Sequence, residues 1–292
     1  MIAIKNDKFS VKIDELGAQL ISIRLANGNE VLWQGDKKFW TGQAPVLFPI
    51  VGTVRDNKVI IDGQWYEMPR HGLARHKMFK ATDITENSVR FELKADKETK
   101  KSYPFNFSLQ IIYNIEDTTL YTTYIITNLD EKSMPFAIGA HPAFNVPFEE
   151  DYMFEDYIIE FEEKETLKSP LLDSQTGLLD FTQSKMEIYN EDVIPLSRDI
   201  FAGDAIVYEG FNKNVVRLKN PKTSANIEMR FDDFPLLGIW NPKGEAPFVC
   251  LEPWVGCATT TQEGDDIVDK KHIQIIDPHE QKSYIFCVTL NI

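Results

Sequence analysis

The sequence predicts an all-β protein built from antiparallel sheets, in one domain covering residues 1–292. Three features predict it. Short apolar and β-branched runs recur from one end to the other, hairpin-type turn dipeptides separate several of them, and stretches with helical periodicity are scarce.

In chain order the runs are 9–13, 19–25, 58–61, 65–68, 107–115, 120–127, 157–161, 215–218, 227–231, 248–251, 272–276 and 284–290. They are rich in Val, Ile, Phe, Tyr and Thr, which pack well on a pleated surface. Asp62-Gly63 lies between Val59-Ile60-Ile61 and Trp65-Tyr66. A two-residue hairpin turn needs positive φ at both positions, and this dipeptide tolerates it. Stretches 95–101 and 262–270 are polar enough for short surface helices or loops. Without long amphipathic helices to cross over a sheet, the parallel α/β class is disfavoured.

Length alone does not force a split, because all-β sandwiches and barrels of this order commonly form one unit. No composition shift, Pro/Gly/Ser-rich linker or fixed repeat marks a boundary. A net charge of −14, from 45 acidic and 31 basic residues, argues against broad binding to nucleic acid or to an anionic membrane. The N-terminal residues turn polar at once, and no stretch approaches the roughly 18 apolar residues a membrane helix needs. Cys250, Cys257 and Cys287 are odd in number and lack CxxC spacing, as in a reduced, cytoplasmic protein. The acidic runs 148–151 and 160–165 read as solvated faces. The sequence is silent on oligomeric state.

Two segments carry candidate chemistry. Met134 opens a strand that ends at Gly139-Ala140-His141-Pro142; alternation puts Ala137, Gly139 and His141 on one face, so small residues lead to an imidazole. This arrangement leaves room for a ligand, although a core histidine bonded to a carbonyl gives the same pattern. In Phe248-Val249-Cys250-Leu251-Glu252-Pro253-Trp254 a carboxylate sits inside an apolar strand, sharing a face with Phe248, Cys250 and Trp254. Burying it without partners costs several kcal/mol, so Glu252 is either in a structural pair or held for proton transfer. Arg55, His71 and Arg75 lie in apolar or Gly-rich settings, and Asp204 precedes the strand that starts at Ala205; each has an ordinary structural explanation, and their weight comes from occurring together. Cys250 has apolar neighbours and reads as inert packing. No second acid is evident for Glu252, which disfavours glycoside hydrolysis.

Together these segments resemble the aldose 1-epimerase (galactose mutarotase) family, in particular its shorter, LacX-like subgroup. The resemblance spans essentially the whole chain. It rests on Phe48-Pro49-Ile50-Val51-Gly52 leading to Arg55, His71-Gly72-Leu73-Ala74-Arg75, Gly139 through Asn145, Asp204-Ala205-Ile206-Val207, and Gly238-Ile239-Trp240 followed by Phe248 through Trp254. It implies the large antiparallel β-sandwich of the galactose mutarotase type, and interconversion of the α and β anomers of an aldose without metal or cofactor. By the resemblance, Glu252 takes the proton of the anomeric hydroxyl, His141 protonates the ring oxygen, and the two exchange roles on reclosure. His71, Arg55 and Asp204 correspond to sugar-holding positions, and Trp240 or Phe248 to an apolar platform.

The segment at Asp204 departs from the fuller histidine-bearing family motif, leaving the sugar open. The stretch His71-Gly72-Leu73-Ala74-Arg75 also resembles the hexose-6-phosphate mutarotase branch, whose arginine is associated with phosphate, so a sugar phosphate is an alternative substrate. A non-catalytic carbohydrate-binding protein is a third reading, because one fold hosts many functions. These readings separate on whether Arg55 and Arg75 converge on one pocket, and on whether His141 and Glu252 face each other.

Overall fold

Period-2 burial runs through most strands of this computed structural model, which describes residues 1–173 and 175–292. Phe107–Glu116 and Thr119–Asn128 alternate buried and partly exposed side chains almost throughout, as expected for a sheet with one face in the core. They lie in a nine-stranded antiparallel sheet, ordered Leu179–Pro195, Ile158–Leu172, Val215–Lys219, Asn226–Arg230, Gln281–Asn291, Thr119–Asn128, Phe107–Glu116, Ser88–Lys94, Lys80–Thr82. A six-stranded sheet is ordered Ile206–Glu209, Leu236–Trp240, Phe248–Val255, Ile138–Ala140, Val46–Leu47, with Ala143–Asn145 also paired to Phe248–Val255. Smaller sheets are Ile2–Lys5 with Phe9–Ile13 and Leu20–Leu25, the pair Met134–Phe136 and Gln274–Ile276, and the hairpin Lys58–Ile61 and Gln64–Glu67. Among the described residues the longest helix is the four-residue 3-10 turn Arg198–Phe201, and no helix is long and apolar enough to cross a membrane.

The two large sheets share one hydrophobic core. Leu251, Ile239 and Ile138 of the six-stranded sheet join Ile111, Tyr124 and Phe286 of the nine-stranded sheet in it. Phe48, just beyond Val46–Leu47, packs on Phe107 at 5.1 Å between ring centroids. The hairpin at Asp62-Gly63 forms with both residues at positive φ (51° and 74°). Stretches 95–101 and 262–270 hold only the 3-10 turns Thr99–Lys101 and Ile267–Asp269.

Two expectations need correction. The run at 157–161 is the start of a far longer strand, Ile158–Leu172, paired with Leu179–Pro195. Repeated register shifts and many Glu, Lys and Ser residues hide this hairpin from a periodicity argument. In the acidic run 160–165, Glu162 and Glu163 are exposed, but Glu165 is buried and accepts hydrogen bonds from the backbone N–H groups of Asn212 (3.0 Å) and Lys213 (3.4 Å).

Phe248–Val255 positions the site. All eight of its residues are buried, because its second face is covered as well. Val249, Leu251 and Val255 point into the main core. On the other face, Trp254 packs with Ala205, Val207, Leu179 and Ala258, while Phe248 and Cys250 pack with Trp33.

Candidate active site

Glu252 sits mid-strand opposite Gly238 of Leu236–Trp240. Two residues on, Trp254 pairs with Gly139 of Ile138–Ala140. A Cβ at Gly238 would come 2.6 Å from Trp254 Cζ2, and one at Gly139 2.8 Å from Trp254 Cδ1. The indole therefore lies across two neighbouring strands that are glycine where it crosses them. The space that Gly139 leaves is thus filled by Trp254, whereas its neighbourhood to His141 suggested room for a ligand.

Antiparallel pairing of Ile138–Ala140 with Phe248–Val255 brings His141, immediately after the first strand, to Glu252 on the second. His141 Nε2 lies 3.3 Å from Glu252 Oε2. The imidazole stacks on Trp40 at 4.9 Å and 26°, and meets the edge of Trp240 at 5.5 Å and 82°. Side-chain exposure is 10% for His141 and 1% for Glu252. Burial lowers the His141 pKa to about 3 and pushes Glu252 well above its ordinary value, with Asp204 adding to the rise and Arg70 opposing it. Burial thus disfavours the charged form of both groups, carboxylate and imidazolium alike, which favours keeping a proton on Glu252 and the imidazole neutral. Glu252 Oε2, His141 Nδ1 and Trp254 Nε1 are buried without a hydrogen-bond partner among the described residues. Buried polar atoms are ordinarily paired, so such a cluster at one cavity marks atoms held for a ligand.

The cavity has a volume of about 300 Å³, at the lower end for small-molecule sites. His71, Arg75, His141, Asp204, Trp240 and Glu252 all line it. His71 stands in the left-handed region (φ 64°), where its N–H donates to the Gly52 carbonyl (2.7 Å) and Gly52 N–H donates to its Nδ1 (3.1 Å). Burial, then His141, Arg70 and Arg75, hold its pKa well below normal. A neutral ring with Nδ1 accepting carries its proton on Nε2, so the Arg70 Nε at 3.3 Å is a neighbour of that atom and not a donor to it. The next residue must be glycine: a Cβ at Gly72 (φ 72°) would lie 2.2 Å from the Phe48 carbonyl oxygen. Asp204, also at positive φ (73°), accepts from Ala205 N–H at 2.8 Å through Oδ1. It lines the cavity, as the resemblance implies, and brings there a second carboxylate beside Glu252, where the sequence had shown no second acid partner.

Arg55 is not brought to this cavity. Its guanidinium pairs with Asp265 and donates to the carbonyls of Thr260 (3.3 Å) and Glu263 (3.2 Å), locking a loop on another part of the surface. Phe248 lies fully buried behind Trp240, 6.1 Å away. Among the lining residues that escaped sequence reasoning are Arg70, Trp40 and, as a lining group, Trp254. Arg70 adjoins His71 in a segment already singled out. Trp40 lies in a loop without periodicity, and its one signal is Gly42, where a Cβ would come 2.3 Å from the Trp40 ring. Among the described residues neither Arg70 nor Arg75 has a carboxylate within ion-pair distance; Arg75 Nε donates to His76 Nε2 at 3.1 Å.

The sequence pattern of the aldose 1-epimerase family matches residues 1–283. The chain is 36% identical to the plasmid-encoded protein LacX of Lactococcus lactis subsp. lactis, over 99% of each chain. Its fold matches a galactose mutarotase related enzyme from Lactobacillus acidophilus (TM-score 0.94, 31% identity, 100% of this chain and 97% of that one). It also matches a galactose mutarotase-like protein from Lactobacillus casei (TM-score 0.91, 32% identity, all of both chains). Fold and sequence pattern agree over nearly the whole length, and the chain belongs to the aldose 1-epimerase family.

Proposed function

We propose that the protein interconverts the α and β anomers of an aldose by acid–base opening and reclosure of the ring, within one domain spanning 1–292. The observation that carries this is the approach of His141 Nε2 to Glu252 Oε2, 3.3 Å, on the floor of a cavity of about 300 Å³. Mutarotation moves protons at two oxygens attached to the same carbon, the anomeric hydroxyl and the ring oxygen, so its acid and base must stand close together.

Glu252 as carboxylate takes the hydroxyl proton while His141 as imidazolium protonates the ring oxygen. The ring opens to the aldehyde, leaving Glu252 protonated and His141 neutral, the form that burial favours. After rotation about C1–C2 the same groups reclose the ring with roles exchanged. An acid and a base worth about 10² to 10⁴ each give about 10⁴ to 10⁸ together, roughly 5 to 11 kcal/mol of barrier. His71 Nε2–H donates to a ring hydroxyl or the ring oxygen, Asp204 accepts from hydroxyls, and Trp240 offers an apolar face.

A sugar phosphate is a second reading, favoured by Arg70 and Arg75: both line the cavity without an ion-pair partner among the described residues, and guanidinium groups bind phosphate in bidentate fashion. Polarimetry or NMR of freshly dissolved α-glucose, α-galactose and α-glucose 6-phosphate, with wild type and Glu252→Gln, tests these readings. Acceleration of a free sugar that vanishes in the variant supports the aldose reading. Acceleration of the phosphate alone supports the second, and no acceleration leaves a carbohydrate-binding protein.

A further inference from the structure

We propose that His141, Cys250 and Glu252 form a binding site for a soft divalent cation of the Zn²⁺ class at the floor of the cavity. Its consequence for catalysis, inhibition, rests on the acid–base reading above. One ligand atom of each residue lies within 4.8 Å of the others. Zinc bonds of about 2.0 to 2.3 Å arranged tetrahedrally separate neighbouring ligand atoms by about 3.4 to 3.6 Å. The His141–Glu252 separation of 3.3 Å already meets this, and the sulfur, within 4.8 Å of both, needs to come closer by up to about 1.4 Å.

Strand periodicity builds the trio. Cys250 and Glu252 are two apart on Phe248–Val255 and share its second face, and Cys250 pairs with Ala143 just beyond His141. All three side chains are buried, and Glu252 Oε2, 3.3 Å from His141 Nε2, makes no hydrogen bond among the described residues. No lysine or arginine among the described residues reaches Glu252 within ion-pair distance; its one such neighbour is His141. A divalent cation balances one thiolate and one carboxylate, and apolar surroundings strengthen that attraction. Thiolate and imidazole select zinc-class ions over Mg²⁺ or Ca²⁺. Three protein ligands leave the fourth position open to the cavity, where a water or sugar oxygen completes the tetrahedron. Occupied in this way, His141 Nε2 and Glu252 can no longer exchange protons with substrate.

The test titrates the full chain with Co²⁺, beside Cys250→Ser and Cys250→Ala. A thiolate-to-cobalt charge-transfer band that both variants lose, and that Zn²⁺ abolishes in wild type, is the expected result. Zn²⁺ affinity by calorimetry should fall at least about 100-fold in both variants, beyond the 10- to 100-fold typical of a lost outer-shell partner. Zn²⁺ should also stop wild-type mutarotation, reversibly with chelator, while the active Cys250 variants resist it. Absence of the band, or a band that survives both variants through Cys257 or Cys287, overturns the proposal. Cobalt binding at Cys250 in a protein without mutarotation leaves the metal site standing and removes the enzymatic reading. Mutarotation without the band does the reverse.

Discussion

Replacing Glu252 with Gln should stabilise the protein while removing its activity, and the stabilisation should depend on pH. Folding forces this carboxyl to keep its proton, because burial raises its pKa well above the ordinary 4.5. Below pH 4.5 the group is protonated in folded and unfolded chains alike, and the glutamate carries no penalty. As pH rises above 4.5 the unfolded chain ionises and the folded one resists. Stability is then lost at up to 1.36 kcal/mol per unit until the folded group also ionises. Between pH 4.5 and 7 the ceiling is about 2.5 units, or about 3 kcal/mol. The amide mimics the protonated acid in shape and does not titrate. Denaturant titration of both proteins from pH 4.5 to 7.5 should therefore show equal stability at the acid end and a growing advantage for Glu252→Gln, reaching up to about 3 kcal/mol at pH 7. In thermal melts this corresponds to about 5 °C. The catalytic rate should fall by about 10² to 10⁴. A variant less stable than wild type at pH 7, or one whose advantage does not change with pH, would refute the premise that Glu252 is buried as a neutral acid.

The His141 imidazole has the opposite sign. Its folded value of about 3 lies below the ordinary 6.5, so its contribution is present above pH 6.5 and is lost as pH falls toward 3. His141→Asn should remove up to 1.36 kcal/mol per pH unit of acid sensitivity below 6.5, read by denaturant titration, and lower the rate by about 10² to 10⁴. Arg55→Ala should leave the KM for sugar unchanged while costing about 1 to 3 kcal/mol of stability, because its hydrogen bonds hold the loop at Thr260 and Glu263; a raised KM with normal stability would return Arg55 to the substrate site. If the substrate is phosphorylated, Arg75→Met should raise KM for glucose 6-phosphate at least about tenfold, roughly 1.4 kcal/mol, without affecting a free aldose. Gly238→Ala should cost about 1 to 3 kcal/mol, since its methyl enters the Trp254 ring; an unchanged melting temperature counts against the seating of that indole.

Wherever a property depends on the period of a single strand, it was legible in the sequence. Alternation put Glu252 on one face with Cys250 and Trp254, and that face lines or underlies the cavity. Asp62-Gly63 announced its hairpin, whereas the one strand expected from Met134 to His141 is two short ones in different sheets, Met134–Phe136 and Ile138–Ala140, with His141 just beyond the second. His71 and Asp204 were visible as polar residues in unusual settings, and both reach the site.

Strand order and loop direction lay outside that reach, because period 2 fixes the face of a side chain but not which strand lies next to it. The sequence by itself determined that Glu252 is a carboxylate in an apolar strand and that His141 ends another. Only the pairing of Ile138–Ala140 with Phe248–Val255 decided that they stand 3.3 Å apart. Similarly, Arg55 and Arg75 read alike as isolated cations in apolar or Gly-rich settings. The tertiary structure gave Arg55 to Asp265 and Arg75 to the cavity, since an ion pair between residues 210 positions apart leaves no trace in local pattern. Trp40 reached His141 through a loop whose course depends on what it packs against. The electrostatics followed the same division: the sequence supplies a carboxyl and an imidazole, while the second covered face of the central strand removes water from both and sets the proton between them.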